Sequence, residues 1–368
     1  MRSFGRGILI TMGLFLILLS PVMTTSILAV ENFTIVVLPD TQKYSCGSDC
    51  QSNPDIFTAQ TRWIVDKKDS LNIAFVAHEG DLVQHPERKD EWENASVAMS
   101  LLEDPVKTKL KDGIPYGVVP GNWDHPDVKY NVYFGISRFK GRKYYGGHYA
   151  KSNNNNYVLF SASGLDFIVI NIDYFIDSDI IDWANSILKE HRSRHAIIVS
   201  HHILHDPIMG GNDFQDPSFY EDLKENPNLF LMLCGHIPGE KRRVDTFNGN
   251  TINTLMANYQ HRENGGNGWL RILEFSPDKG EINVKTYSPT LDKYEIDLLL
   301  HGDDNSNLIN KSYLKVVPRT EGVSSSEIRQ NYLRSITQIN NQKLMLTPGP
   351  AVVLHENIQY IKPLFGRG

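Results

Sequence analysis

The feature that most constrains this chain is a series of short apolar runs, rich in Val and Ile, that each stop abruptly at a polar cluster. They are Phe33 to Leu38, Ile73 to Ala77, Tyr116 to Val119, Phe167 to Ile172, Ala196 to Val199 and Leu229 to Leu233. Runs of this length and composition read as buried strands. Helical patterns lie between them, at Phe57 to Lys67, Trp92 to Leu102 and Ile180 to His191. In the last, Ile180, Ile181, Ala184, Ile187 and Leu188 share one face at three- and four-residue spacing. Strands alternating with helices predict an α/β layered architecture whose function gathers on loops leaving the strand ends.

The residues after the strands carry the chemistry. They read Asp40-Thr-Gln42, then Gly80-Asp81-Leu-Val-Gln84-His85, then Gly121-Asn122-Trp123-Asp124-His125, then His201-His202, then Gly235-His236-Ile-Pro238-Gly239-Glu240. Each alone is weak, because Gly-Asp and Gly-Asn pairs are everyday turns and a lone His after a strand is usually structural. Five strand ends bearing carboxylate, amide or imidazole point to one shared site. That donor mixture suits Mn, Fe or Zn better than Ca, which prefers all-oxygen cages. Two such ions about 3.5–4 Å apart hold an attacking hydroxide and a phosphoryl oxygen together in two-metal hydrolases, so phosphoryl transfer is the expected reaction.

In these residues the chain resembles the calcineurin-like metallophosphoesterase family, whose motifs run D-x-H, G-D-x-x, G-N-H-[DE], a His after a strand, and G-H-x-H. It is most similar to a secreted or envelope branch that begins Leu-Pro-Asp40-Thr-Gln42, with Gln in place of the first His. Tyr145-Gly-Gly-His-Tyr149, Trp183-Ala-Asn185, Tyr259-Gln260, Gly265-Gly-Asn-Gly-Trp269-Leu-Arg271 and Thr286-Tyr-Ser-Pro289 also match that branch. The resemblance spans about Phe33 to Leu300 and implies a four-layer α/β/β/α sandwich with two facing mixed β-sheets. By it, Asp40 and Gln42 hold a first metal, Asp81 bridges, and Asn122, His201 and His236 complete a second site. Asp81, Asn122 and Asp124 are the expected catalytic residues. His202, His125, His85 and Glu240 are candidates for supporting or substrate-binding roles, as are His205, Trp269 and Tyr259. For His125 a solvent-facing loop residue is the preferred reading, and for the two aromatics it is core packing.

Two positions depart from the family pattern. Pro238 replaces the closing His of G-H-x-H and has neither a side-chain donor nor a backbone N–H. Trp123 replaces the His of G-N-H-[DE], and an indole cannot deliver a proton near neutral pH. The expected function is therefore a phosphomonoesterase or phosphodiesterase with weakened or altered catalysis, using one or two divalent ions (Mn, Fe or Zn). The alternative is a binding module that recognises an anionic or phosphorylated ligand without turning it over.

Composition narrows the partners. A formal net charge of -6 argues against a nucleic-acid binder, leaving a phosphoester on a small molecule or a surface. At the N-terminus, Arg2 and Arg6 precede the apolar stretch Ile8 to Leu19, which Ser20 and Pro21 end. That is the layout of a secretory signal peptide. Counted on to Val30, the segment also reaches the ~20 residues of an uncleaved anchor, the single expected membrane contact. Either reading exports residues 31 onward to the envelope or beyond. Three cysteines make no disulfide framework, although Cys46 and Cys50 can pair locally in an oxidising compartment. The expected organisation is thus 1–30 signal or anchor, 31–300 phosphoesterase domain and 301–368 an extension of unknown role. Lys140 to Asn156, with four consecutive Asn, reads as a loop or surface excursion.

Overall fold

The computed structural model describes residues 31–126, 128–205, 214–295 and 308–310. The expected signal or anchor segment lies outside these residues, as does all of the C-terminal extension except 308–310. Two seven-stranded sheets form the centre. The first holds β1 (Phe33–Leu38), β2 (Ile73–His78), β3 (Tyr116–Val118), β11 (Leu270–Ser276), β12 (Glu281–Ser288), β13 (Lys293–Tyr294) and β14 (Leu308–Asn310). The second holds β4 (Tyr145–His148), β5 (Asn156–Ala162), β6 (Leu165–Ile172), β7 (His195–Ser200), β8 (Leu229–Cys234), β9 (Gly239–Phe247) and β10 (Asn250–Asn258). Both sheets are mixed. In the first, β1, β2 and β3 run parallel while β11 returns antiparallel against β1. In the second, β6, β7, β8 and β10 run parallel, with β5 and β9 antiparallel at the flanks.

Side-chain alternation along each strand explains the layering. On β6, Phe167 and Val169 join the core between the sheets, whereas Ile168, Ile170 and Ile172 join a second core. That second core also takes Ile180, Ile181, Ala184 and Leu188 from the helix Ser178–Glu190. On the other side, Phe57 and Ile64 of helix Pro54–Lys67 and Trp92 of helix Lys89–Ser100 pack with the first sheet. The result is a four-layer α/β/β/α sandwich, as the family resemblance implies. The helices start where sequence chemistry stops the preceding loop. Asn53 accepts from the Asp55 backbone N–H at 2.9 Å ahead of Pro54, and Asp177 accepts from that of Ile180 at 2.9 Å.

One expectation is corrected. Asn153, Asn154, Asn155 and Asn156 are not on a surface excursion but buried, and Asn156 opens β5. Their amides serve groups that water does not reach. Asn153 Nδ2 donates to Phe134 O at 2.8 Å, Asn154 Nδ2 to Asp173 Oδ2 at 2.8 Å, and Asn171 Nδ2 to Asn156 Oδ1 at 2.8 Å. Buried polar groups persist where they are paired in this way.

Phe167 is the hub between the sheets, fully buried and in ring contact with Phe33 (5.4 Å), Phe160 (4.9 Å), Phe230 (6.4 Å) and Phe275 (6.0 Å). Phe167→Ala should therefore lower stability by about 3–5 kcal/mol. Urea denaturation of the variant checks this, and a loss below about 1 kcal/mol would show that the sheets close over the cavity.

Candidate metal centre

Parallel strands of both sheets end at one rim, which brings the polar strand-end residues together. Asp81 follows β2, Asn122 follows β3, His201 follows β7 and His236 follows β8. His201 is fully buried, and its Nδ1 lies 2.8 Å from the Glu79 carbonyl. A carbonyl only accepts, so the ring proton sits on Nδ1. That leaves a lone pair on Nε2, which faces Asn122 Oδ1 at 3.1 Å, His236 Nδ1 at 3.1 Å and Asp81 Oδ2 at 3.2 Å. Four potential metal-binding atoms on four loops thus converge, and with the His236 proton on Nε2 all four can face one cation.

Protonation follows the same logic. Burial pulls His201 down, but the charges of Asp81 and Asp40 outweigh it and push the imidazole up to about 9. His236 goes the other way, to about 4, through burial and then the His201 charge. Without a metal ion, Asp81 and Asp40 thus favour a proton on His201.

The backbone is bent to make the convergence possible. Asp81 (φ 52°) and His236 (φ 64°) both occupy the left-handed region, which L-residues adopt at a cost and which gathers at functional sites. Two glycines allow the close approach. A Cβ on Gly121 would fall 2.2 Å from Asp81 Oδ1, and one on Gly235 would fall 2.2 Å from Asp40 Oδ1.

Asp40 and Gln42 sit beside this group on the Asp81 side. Gln42 Nε2 donates to Asp81 Oδ2 at 2.9 Å, while its Oε1 is buried with no partner. The Asp40 carboxylate is already engaged: Oδ1 accepts from the His236 N–H at 3.1 Å, and Oδ2 accepts from Asn258 Nδ2 at 2.9 Å and Gln260 Nε2 at 3.4 Å. Burial raises its pKa and Asp81 adds to the rise, with His201 opposing. Pro238 is exposed and brings no donor to this side. The donor set fits a divalent ion among Asp81, Asn122, His201 and His236, with Gln42 Oε1 free to coordinate next to it.

Several expected site residues stand elsewhere. Asp124, expected among the catalytic residues, is fully buried and accepts from the backbone N–H groups of Leu82, Val83 and Gly121 at 2.8–3.1 Å. It is a positioning residue that ties the Asp81 loop to the Asn122 loop. Glu240 does not fill the place left by Pro238. Its Oε1 accepts from Tyr259 (2.6 Å) and Thr286 (2.7 Å), and its Oε2 pairs with Arg271 at 2.9 Å. His85 is held by buried Glu91 at 2.7 Å and adjoins Cys46 and Cys50, away from the cluster. Those cysteines form a disulfide.

His125 is not a solvent-facing loop residue. Its side chain is 15% exposed, with Nε2 2.9 Å from Asp173 Oδ1. His202 does flank the cluster, its ring centre 4.2 Å from that of His236, and both its nitrogens are buried without partners. Burial, with neighbouring His236, His201 and His205, lowers it to about 3. His205 lies behind it at 6.0 Å. Tyr259 and Trp269 are buried together, with Arg262 over both rings.

Three contributors were not expected. Asp173 and Tyr174 follow β6, and Tyr174 meets the rings of His201, His202 and His236 at 5.8–6.3 Å. Asn258 ends β10 and binds both Asp40 and the His236 carbonyl. Each ends a parallel strand, so the strand-end signal that marked the others was present for these too.

Residues 33–240 match the calcineurin-like phosphoesterase family model. The chain belongs to that family. This phosphoesterase-family chain is also 34% identical over 318 residues to the uncharacterized protein YvnB of Bacillus subtilis (strain 168), covering 82% of the chain but 23% of YvnB. It therefore spans less than a quarter of that relative. Among solved structures, a purple acid phosphatase from yellow lupin (Lupinus luteus) seeds is 12% identical with a TM-score of 0.49, covering 80% of this chain and 57% of its own. A dimetal phosphatase from Danio rerio is 12% identical with a TM-score of 0.49, covering 70% of this chain and 96% of its own.

The His201 shift fixes a pH dependence. Its folded pKa of about 9 lies above the usual 6.5, so its stabilising contribution is full below pH 6.5 and is lost as pH rises through 9. Metal-free protein should lose thermal stability across that window, and protein loaded with Mn should not. Parallel melting curves of the two forms from pH 6 to 9.5 check this; matching profiles would show that His201 carries no extra proton.

Proposed function

We propose that this chain is a divalent-metal-dependent phosphoester hydrolase with one strong metal position, held by Asp81, Asn122, His201 and His236, and a weaker one beside Asp40 and Gln42. The observation that carries the reading is the lone pair of His201 Nε2 facing three electron-rich atoms at 3.1–3.2 Å. A divalent ion bound there supplies positive charge against phosphoryl oxygens and makes water more acidic. The protein's own share is orientation. Glu79 O fixes the His201 tautomer, Asp124 locks the Asp81 and Asn122 loops, and Gln42 holds Asp81 from the other side. Trp123 offers no acid for the leaving alcohol, so substrates whose leaving group needs no proton, such as aryl phosphates, are favoured over alkyl esters. Export, through the N-terminal segment, belongs to the same proposal, and the Cys46–Cys50 disulfide supports it. Among the described residues no helix is long and apolar enough to cross a membrane.

The engaged Asp40 carboxylate and exposed Pro238 favour one competing reading, a pocket that binds a phosphorylated ligand without hydrolysing it. Metal analysis and an aryl phosphate assay on the purified chain separate the two. Nearer one than two ions per chain are expected, and Asp81→Ala should abolish both binding and hydrolysis. Two tightly held ions that survive Asp81→Ala would refute the ligand assignment.

Restoring the family pattern tests the weaker side. Trp123→His returns an acid, a role worth about 10²–10⁴ in rate, and Pro238→His returns a ligand. Together they should give a second bound ion and alkyl phosphoesterase activity, more than additively, because both act on one transition state. A double variant that melts like the parent and binds two ions, yet hydrolyses no phosphoester, would favour the binding-module reading.

A further inference from the structure

Two large aromatic side chains near this cluster keep much of their surface in water. Trp123 is 46% exposed, and its indole has no hydrogen bond or ring contact among the described residues. Phe175 is 60% exposed. Packing leaves much of each ring in water, which forgoes the burial that such side chains ordinarily provide.

Both rings are tied to the cluster by short links. The Trp123 backbone N–H donates to Asp81 Oδ1 at 3.0 Å, so the indole grows from a residue that touches a proposed metal ligand. On the other side, Phe175 lies edge-on to Tyr174 at 5.0 Å, and Tyr174 lies 5.8 Å from His236. His125 joins the two sides, following Trp123 by two residues and meeting the Phe175 ring at 4.7 Å. Asp173 holds His125 in place, and Asn154 holds Asp173. Phe175 thus stands on a loop braced by side-chain contacts.

We propose that Trp123 and Phe175 form an aromatic clamp for the organic group of a phosphoester, and that the ligand class it selects is a nucleoside monophosphate, which as an alkyl ester is bound more readily than it is hydrolysed. The proposal rests on reading the adjoining cluster as the phosphate-binding end. Flat aromatic faces stack on nucleobases with little dependence on sequence, which suits a base held beyond a bound phosphate. A monomer is selected over a polynucleotide, because a chain of net charge -6 lacks the cationic excess that binding a phosphate polymer requires. The position that lost its family acid has gained a recognition surface.

The full chain with added Mn is titrated with adenosine 5′-monophosphate and, separately, with ribose 5-phosphate, which has the same phosphate and sugar but no base. Calorimetry gives affinities, and tryptophan fluorescence reports stacking. The nucleotide should bind about tenfold tighter and quench fluorescence. Trp123→Ala should bring the ratio of affinities close to one and remove the quench. Trp123→Phe should retain most of the ratio, and Phe175→Ala should lower it. Equal affinities in the parent chain, or a preference that survives both alanine variants, overturn the clamp and leave the phosphate site standing. If neither compound binds, the clamp falls together with the site reading.

Discussion

The interaction on which the rest depends is the crowding of His201 Nε2. Its other nitrogen is committed to the Glu79 carbonyl, so a bare lone pair faces an amide oxygen, a carboxylate and a second imidazole inside a buried space. Such an arrangement is unfavourable unless positive charge enters it. In the absence of a metal ion the charges of Asp81 and Asp40 push His201 up despite its burial, while burial and then the His201 charge push His236 down. Metal and proton compete for the same place, as they do wherever ligands must be deprotonated to bind.

Holding that arrangement takes more residues than it displays. Left-handed backbone at Asp81 and His236 aims their side chains inward, and Gly121 and Gly235 leave room for the carboxylates that lie against them. Asp124 gathers three backbone N–H groups from two loops. Asn258 ties Asp40 to the His236 loop from a third strand. The same bonds make the two sides unequal. Asp40 is satisfied by protein donors, whereas Asn122, His201 and His236 are left facing one another.

Much of the site was legible in the sequence because parallel strands deliver the residues after them to a common edge, and six of those residues could be named from that rule together with the family resemblance. Where reading failed, the cause was physical. Asp124 looks like a reacting carboxylate until the three N–H groups around it are seen. The four asparagines look like a loop because their composition is polar, but polar residues can be buried when each amide has a partner, and partners are a tertiary property. Asp173 and Asn258 end parallel strands as the others do. A single carboxylate follows the apolar run at Asp173, and polar residues interrupt β10, so neither signal is strong in the sequence.

By itself the sequence determined the layered α/β architecture, the rim at which function gathers and the types of donor found there, since each follows from local periodicity and from what stands after a strand. It also determined what two residues cannot do: Pro238 offers no side-chain ligand, and Trp123 no proton near neutral pH, in any fold. Only the tertiary structure decided which donors face one another and which are already satisfied, and that His125 is braced by Asp173 while Trp123 and Phe175 keep much of their surface exposed. The reason is that pairing depends on distances between residues far apart in the chain, and side-chain type alone does not contain those distances.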